Sequence, residues 1–390
     1  MLSHMHPQLA EFFAYRVEQQ KLLEQLEGPG AVMPMPDLKG LRAWYKMFSQ
    51  RVGGPVPEVA EVKDLVADTE ERPLRLRYYR PFIPAAAATP AGPATPDTPA
   101  TTANQAPPAT PVTSAAAANP ANPANPATPA TPATPASQNT SPLPCIIYFH
   151  GGGWSMGDMD THDRVCRRLA LAAEAVVLSV EYALSPELPW PQAPHDAIAA
   201  TRWVQAHAPA LNIDAARMAV AGDSAGGNLA AIVALALRTQ PAPGSPLLAQ
   251  ILIYPATDLR SGFDPRYPSL ADNAERPPLS SSQMREHMRH YLEENARHAE
   301  HEQASPLLAS SHRGAPPALI LTAGLDPLRD DGFAYAQTLS RAGVDVQLNH
   351  FAGHTHGFIE MAGVLDTVPA AFSLIGQWFR QRQAPSSHTA

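Results

Sequence analysis

The chain has 390 residues and a formal net charge of −8 with an isoelectric point near 6.0, a balance that excludes the clustered basic face of a nucleic-acid-binding protein. No uncharged apolar run approaches the ~18 residues of a membrane span, and the N-terminus shows no basic segment followed by an apolar one, so no secretory leader is expected. Cys145 and Cys166 form no C-x-x-C pair and read as small buried thiols in a reducing compartment, which makes a cytoplasmic protein the expectation.

Along the chain, Leu9, Phe12, Phe13, Val17, Leu22, Leu23 and Leu26 recur at helical spacing, predicting a helix over 6–26, with a second over 38–48. Two strands follow, EVKDLVAD and LRLRYYRP. In the second, Leu74, Leu76 and Tyr78 alternate with Arg75, Arg77 and Tyr79, the period of a half-buried strand. The stretch 85–142 is nearly all Ala, Pro, Thr, Asn and Ser, and holds most of the 43 prolines. Nothing in it can build a core, so it is expected to be a disordered insertion. The remaining ~330 residues suffice for one α/β domain with a small cap.

Beyond the insertion, short apolar runs (145–149, 175–180, 218–222, 251–255, 318–324 and 346–351) alternate with helical segments (161–173, 192–208, 224–238 and 330–342). Runs apolar on both faces and joined by helices predict a mostly parallel sheet covered on both sides. A last helix is expected over 367–382. Residues 261–301 break the alternation, with a helix near 282–294. Insertions at the carboxyl edge of such a sheet lie over the active site. The expected organisation is thus N-terminal cap helices at 1–48, first strands at 49–84, the insertion at 85–142, a core at 143–260, a cap insertion at 261–301 and the rest of the core at 302–390.

Gly222-Asp223-Ser224-Ala225-Gly226 is a G-x-S-x-G sequence between an apolar strand and an Ala-rich helix, the setting of a nucleophile elbow. Glycines on either side relieve the clashes of a strand turning straight into a helix. The helix N-terminus beneath the serine favours developing negative charge. Upstream, His150-Gly151-Gly152-Gly153 directly follows another apolar strand. This is an HGGG-type oxyanion motif, so Gly152, Gly153 and Ala225 are expected to donate N–H groups to an oxyanion. His150, Gly151, Gly222, Asp223 and Gly226 are expected to support them, His150 by hydrogen-bonding the glycine loop.

A serine nucleophile needs a base, and the base an orienting carboxylate. In a fold of this kind the order is Ser, acid, His. Asp326 stands just past the 318–324 run. Its rivals Asp330 and Asp331 fall inside the following helix, where a surface role is expected. His354 and His356 both end the last apolar run, and spacing alone does not choose between them. The His-x-His pair also suggests a metal site, but no third ligand accompanies it. The RHAEHE segment (297–302) reads as a solvated helix end.

Together these motifs resemble the bacterial hormone-sensitive-lipase family of esterases, which carry HGGG upstream of GDSAGG. The resemblance extends to YALSPELPWPQAPHD (182–196), AGLDPLRDDG and HGF. Ala183, Ser185 and Trp190 depart from the usual residues in a supporting loop, and 85–142 departs from the family's short connection. The resemblance implies an α/β-hydrolase fold with a small helical cap built from the N-terminus and 261–301. It implies His356 as base, since the family's histidine directly precedes Gly-Phe, and Asp326 as acid. It further implies hydrolysis of short- to medium-chain acyl esters through an acyl-enzyme, with no cofactor and no metal. The expected partner is a small-molecule ester, and a homodimer is allowed. Amide or formamide cleavage by the same residues and a binding protein on a retired hydrolase fold are the alternatives.

Overall fold

A computed structural model describes residues 4–14, 37–83, 141–238 and 246–383. Most of the expected 6–26 helix beyond residue 14, and nearly all of the 85–142 insertion, lie outside the described residues.

Among the described residues eight strands form one sheet: β1 Glu61–Asp68, β2 Pro73–Arg80, β3 Leu143–Phe149, β4 Val176–Glu181, β5 Ile213–Asp223, β6 Ala249–Ile253, β7 Ala318–Leu325 and β8 Val346–Thr355. Their order is β1-β2-β4-β3-β5-β6-β7-β8. Only β2 runs against its neighbours, and every contact from β4 to β8 is parallel. The central strands β3, β6 and β7 are buried at every residue, as a sheet covered on both faces requires. β1 and β8 are the exposed edges.

Helices alternate with the parallel strands. After a helical stretch at 7–14, here α1, come α2 Leu38–Val52, α3 Asp163–Ala173, α4 Gln192–His207, α5 Ala225–Leu237, α6 Pro268–Asp272, α7 Ser281–Tyr291, α8 Arg329–Arg341 and α9 Val368–Gln383. Leu9 and Phe13 of α1 join the core that α3 and α9 build against one face of the sheet. α5 is buried along almost its whole length, so its Ala-rich sequence reflects tight packing rather than amphipathicity. Cys145 and Cys166 are free and fully buried.

The segment after β6 holds the short helix α6, which was not foreseen, and then α7. α7 starts with a reciprocal cap: Ser280 Oγ accepts from Gln283 N–H while the Gln283 side chain accepts from Ser280 N–H, a pairing that fixes where the helix begins.

The expectation that Asp330 and Asp331 are surface residues is wrong. Asp331 is 1% exposed, and its Oδ1 accepts from the Thr257 and Asp258 N–H groups. Asp330 is half-buried, accepts from Ser269 N–H and pairs with Arg329, which also reaches Asp272. These carboxylates tie the base of the 261–301 segment to α8. Such ties bring in chain remote in sequence, which helical spacing does not reveal.

Candidate active site

The sheet register brings the motifs together. Phe149 of β3 pairs with Gly222 of β5, so the glycine loop leaving β3 stands beside the turn leaving β5. At the other end of the site Leu325 of β7 pairs with Thr355 of β8. The next residues, Asp326 and His356, therefore emerge side by side.

Ser224 sits between β5 and α5 at φ 56° and ψ −119°, a conformation that costs a non-glycine residue of order 1–3 kcal/mol and persists only where its surroundings enforce it. Here they do: Ser224 N–H donates to Ile253 O at 2.8 Å, and a side chain on Gly226 would overlap the Phe149 carbonyl. Ser224 Oγ lies 2.8 Å from His356 Nε2. His356 Nδ1 lies 2.8 Å from Asp326 Oδ2, and the other oxygen of Asp326 accepts from Leu328 N–H at 2.8 Å. Asp326 is fully buried, while Ser224 and His356 are each 9% exposed. His354, two residues away, points elsewhere, its Nε2 bonded to Thr367 Oγ1 at 2.7 Å.

Burial disfavours charge on His356, but the adjacent Asp326 carboxylate outweighs it and lifts the imidazole above its ordinary value. For His354 burial prevails and lowers it to about 4. The buried His150 is likewise lowered to about 4. His150 Nδ1 contacts Gly151 O at 2.8 Å, and its carbonyl accepts from Tyr182 OH at 2.7 Å.

In the glycine loop, Gly151 N–H is committed to Asp223 Oδ1 at 2.9 Å. Gly152 and Gly153 have φ of +119° and +59°, backbone that glycine adopts readily. Gly152 O accepts from Ser155 and Met156 N–H, closing the turn. Asp223 Oδ1 also accepts from Tyr148 OH at 2.6 Å and lies 3.3 Å from His162 Nε2, with Glu360 Oε2 4.0 Å from the same nitrogen. Burial opposes a charge on His162, yet the two carboxylates lift it to about 9. Burial raises Glu360 to about 7, and Tyr45 OH donates to its Oε1 at 2.9 Å. Sequence reasoning flagged Asp223 but missed His162, Glu360 and Tyr45. Glu360 carried one signal, a charge between Ile359 and Met361, whereas His162 in MDTHDR and Tyr45 beside Lys46 carried none.

A cavity of about 290 Å³ opens over Ser224 and His356, walled by Trp44, Tyr45 and Phe48 of α2 and by Met284 and Met288 of α7. A buried serine–imidazole–carboxylate chain facing an apolar cavity, beside a loop rich in left-handed glycines, defines a serine hydrolase site on a parallel α/β sheet.

Comparison with known proteins agrees. A family model described as the alpha/beta hydrolase fold matches residues 146–360, and the chain belongs to that family, within its hormone-sensitive-lipase-like esterase branch. Esterase LipI of Mycobacterium tuberculosis is 45% identical over 58% of this chain and 68% of its own length. The ethyl acetate hydrolase of Pseudomonas putida is 38% identical over 60% and 72%. Among solved structures, an esterase of Pyrobaculum calidifontis superposes with a TM-score of 0.71 at 28% identity, covering 98% of this chain and 100% of its own.

Proposed function

We propose that this chain hydrolyses carboxylic esters with Ser224 as nucleophile, His356 as general base and acid, and Asp326 as the orienting carboxylate. The observation that carries the reading is the unbroken chain from Asp326 Oδ2 through His356 to Ser224 Oγ, with both contacts at 2.8 Å.

In the first half-reaction Ser224 Oγ attacks the ester carbonyl as its proton passes to His356 Nε2. Asp326, which accepts from Nδ1, keeps Nε2 free for that proton and stabilises the imidazolium. The N–H groups of Gly152, Gly153 and Ala225 receive the oxyanion, an electrostatic contribution often among the largest in acyl transfer. The tetrahedral intermediate then expels the alkoxide, which takes the proton from His356 and leaves as alcohol. Water, deprotonated by the same Nε2, adds to the acyl-serine, and collapse returns the proton to Oγ and frees the acid.

The substrates we propose are short- and medium-chain acyl esters, as the family resemblance implies, and the apolar lining of the cavity over the serine supports an acyl group there. The two buried free cysteines suit a reducing, cytoplasmic setting, and no helix among the described residues is long and apolar enough to cross a membrane. Turnover of p-nitrophenyl esters from acetate to palmitate, with mass spectrometry of a phosphonate adduct on Ser224, tests the proposal. Failure to hydrolyse any member, or an adduct on another residue, would overturn it.

A further inference from the structure

The glycine loop is held from above by two helices that contribute none of the residues assigned to the chemistry. From α2, Arg42 Nε donates to Ser155 O at 2.7 Å. From α7, Tyr291 stacks on Trp154 with ring centroids 4.5 Å apart. His287 of α7 packs on the loop at Gly153. A methyl group on Gly153 would stand 2.8 Å from His287 Cγ and 3.0 Å from its Cβ, so the imidazole lies against the bare glycine. Its Nδ1 is 3.3 Å from Ser155 Oγ.

His287 also has a second face. Beside the 290 Å³ cavity over the serine lies another of about 540 Å³. Three residues line both: Leu41 from α2, with Gln283 and His287 from α7. Leu41 and Gln283 come from different helices, and His287 fills the wall next to the glycine loop. Burial lowers its imidazole to about 4, so at neutral pH it is an uncharged ring. Such a ring can form part of an apolar cavity without the desolvation cost of a buried cation.

We infer that His287 is a positioning and specificity-determining residue of this site, seating the Gly153 end of the oxyanion loop and walling the acyl cavity off from its larger neighbour. The inference rests on the ester-hydrolase reading above. The ring acts through Gly153 and touches none of the reacting groups. Its loss leaves the loop glycine unsupported and joins the two cavities into one, which admits longer acyl groups.

The test compares wild type with His287→Ala, His287→Asn and His287→Phe, using p-nitrophenyl butyrate and octanoate, a trifluoromethyl ketone and thermal melting. For His287→Ala, kcat on butyrate falls by about 10- to 100-fold, the scale of a small misplacement of catalytic groups, with little change in KM. Affinity for the ketone, whose adduct places an oxyanion in the hole, falls in parallel. The octanoate-to-butyrate ratio of kcat/KM rises by about tenfold, within what a hydrophobic wall can supply. His287→Phe, which rebuilds the wall, restores the wild-type ratio. Should the alanine variant fail to fold, His287→Asn reads the same quantities with a polar side chain kept. A folded Ala or Asn variant with wild-type kcat, ketone affinity and acyl ratio overturns the inference. Wild-type protein inert toward every ester overturns instead the reading on which it rests.

Discussion

Exchanging Asp326 for asparagine tests the proposed site through the tautomer of one imidazole. The side chains are nearly isosteric, so packing at this fully buried position is preserved. In the native chain one oxygen accepts from Leu328 N–H and the other from His356 Nδ1, each at 2.8 Å. An asparagine must keep its oxygen toward Leu328, because turning the NH2 there would oppose two donors. The NH2 then faces His356 Nδ1, which can accept it only when unprotonated. The proton moves to Nε2, and that nitrogen, 2.8 Å from Ser224 Oγ, presents a donor where a base is required. The same trap in a well-studied serine protease lowers kcat by about 10⁴-fold, or ~5.4 kcal/mol of barrier. Steady-state kcat on p-nitrophenyl butyrate at pH 7 reads the loss, and thermal melting verifies that the variant is folded. A folded Asp326→Asn enzyme with more than a tenth of wild-type kcat refutes the reasoning and removes Asp326 from the role of acid.

Loss of the nucleophile in Ser224→Ala should abolish turnover, by about 10⁶-fold on the precedent of another serine hydrolase; a tenth of native activity would remove Ser224 from its role. His356→Ala should be inactive and His354→Ala within about tenfold of wild type, under ~1.4 kcal/mol of barrier; kcat for both variants decides, and the reverse pattern would move the base to His354. Because an imidazolium cannot accept the serine proton, kcat/KM should rise with pH through a midpoint above 6.5, the ordinary value from which His356 is raised, and a flat profile from pH 5 to 8 counts against a histidine base. His162 and Glu360 are both raised in the folded chain, to about 9 and about 7, so the folded state binds more protons than the unfolded one. Their contribution should be lost between pH ~5 and ~9 as first Glu360 and then His162 release them; melting that is no less pH-dependent in Glu360→Gln would count against the carboxyl. Replacing 85–142 by a short Gly-Ser linker should leave kcat/KM intact and raise the melting temperature slightly, since shortening the connection recovers ~2 kcal/mol of closure entropy; a substantial loss of activity in a folded deletion would make the segment part of the site.

What the sequence disclosed and what it withheld have a common physical cause. The elbow and the glycine loop were legible because their constraints are local. Gly226 must be glycine because the Phe149 carbonyl lies where its side chain would be, and the Gly153 backbone at φ +59° strongly favours a residue without a side chain. Constraints of this kind leave fixed letters at fixed spacing. The choice between His354 and His356 was legible only through the family resemblance, in the Gly-Phe that follows His356, because its physical basis is not local. It depends on the pairing of Leu325 with Thr355, which sets Asp326 beside the residue after Thr355, and a shift of register would offer the acid a different partner. Asp331 was misread because an aspartate in the first turn of a helix usually faces water, whereas here Thr257 and Asp258 bring two backbone N–H groups to it from 74 and 73 residues away. His287 and Glu360 lie further along the same scale. His287 owes its place to α7 packed onto the site, while Glu360, four residues past His356, meets Tyr45 of α2 and His162 from elsewhere in the chain, and neither carries a spacing that marks it. The assigned chemistry is therefore written in short motifs at the strand ends, while the walls of the cavity over Ser224 include residues of α2 and α7 that only packing brings near.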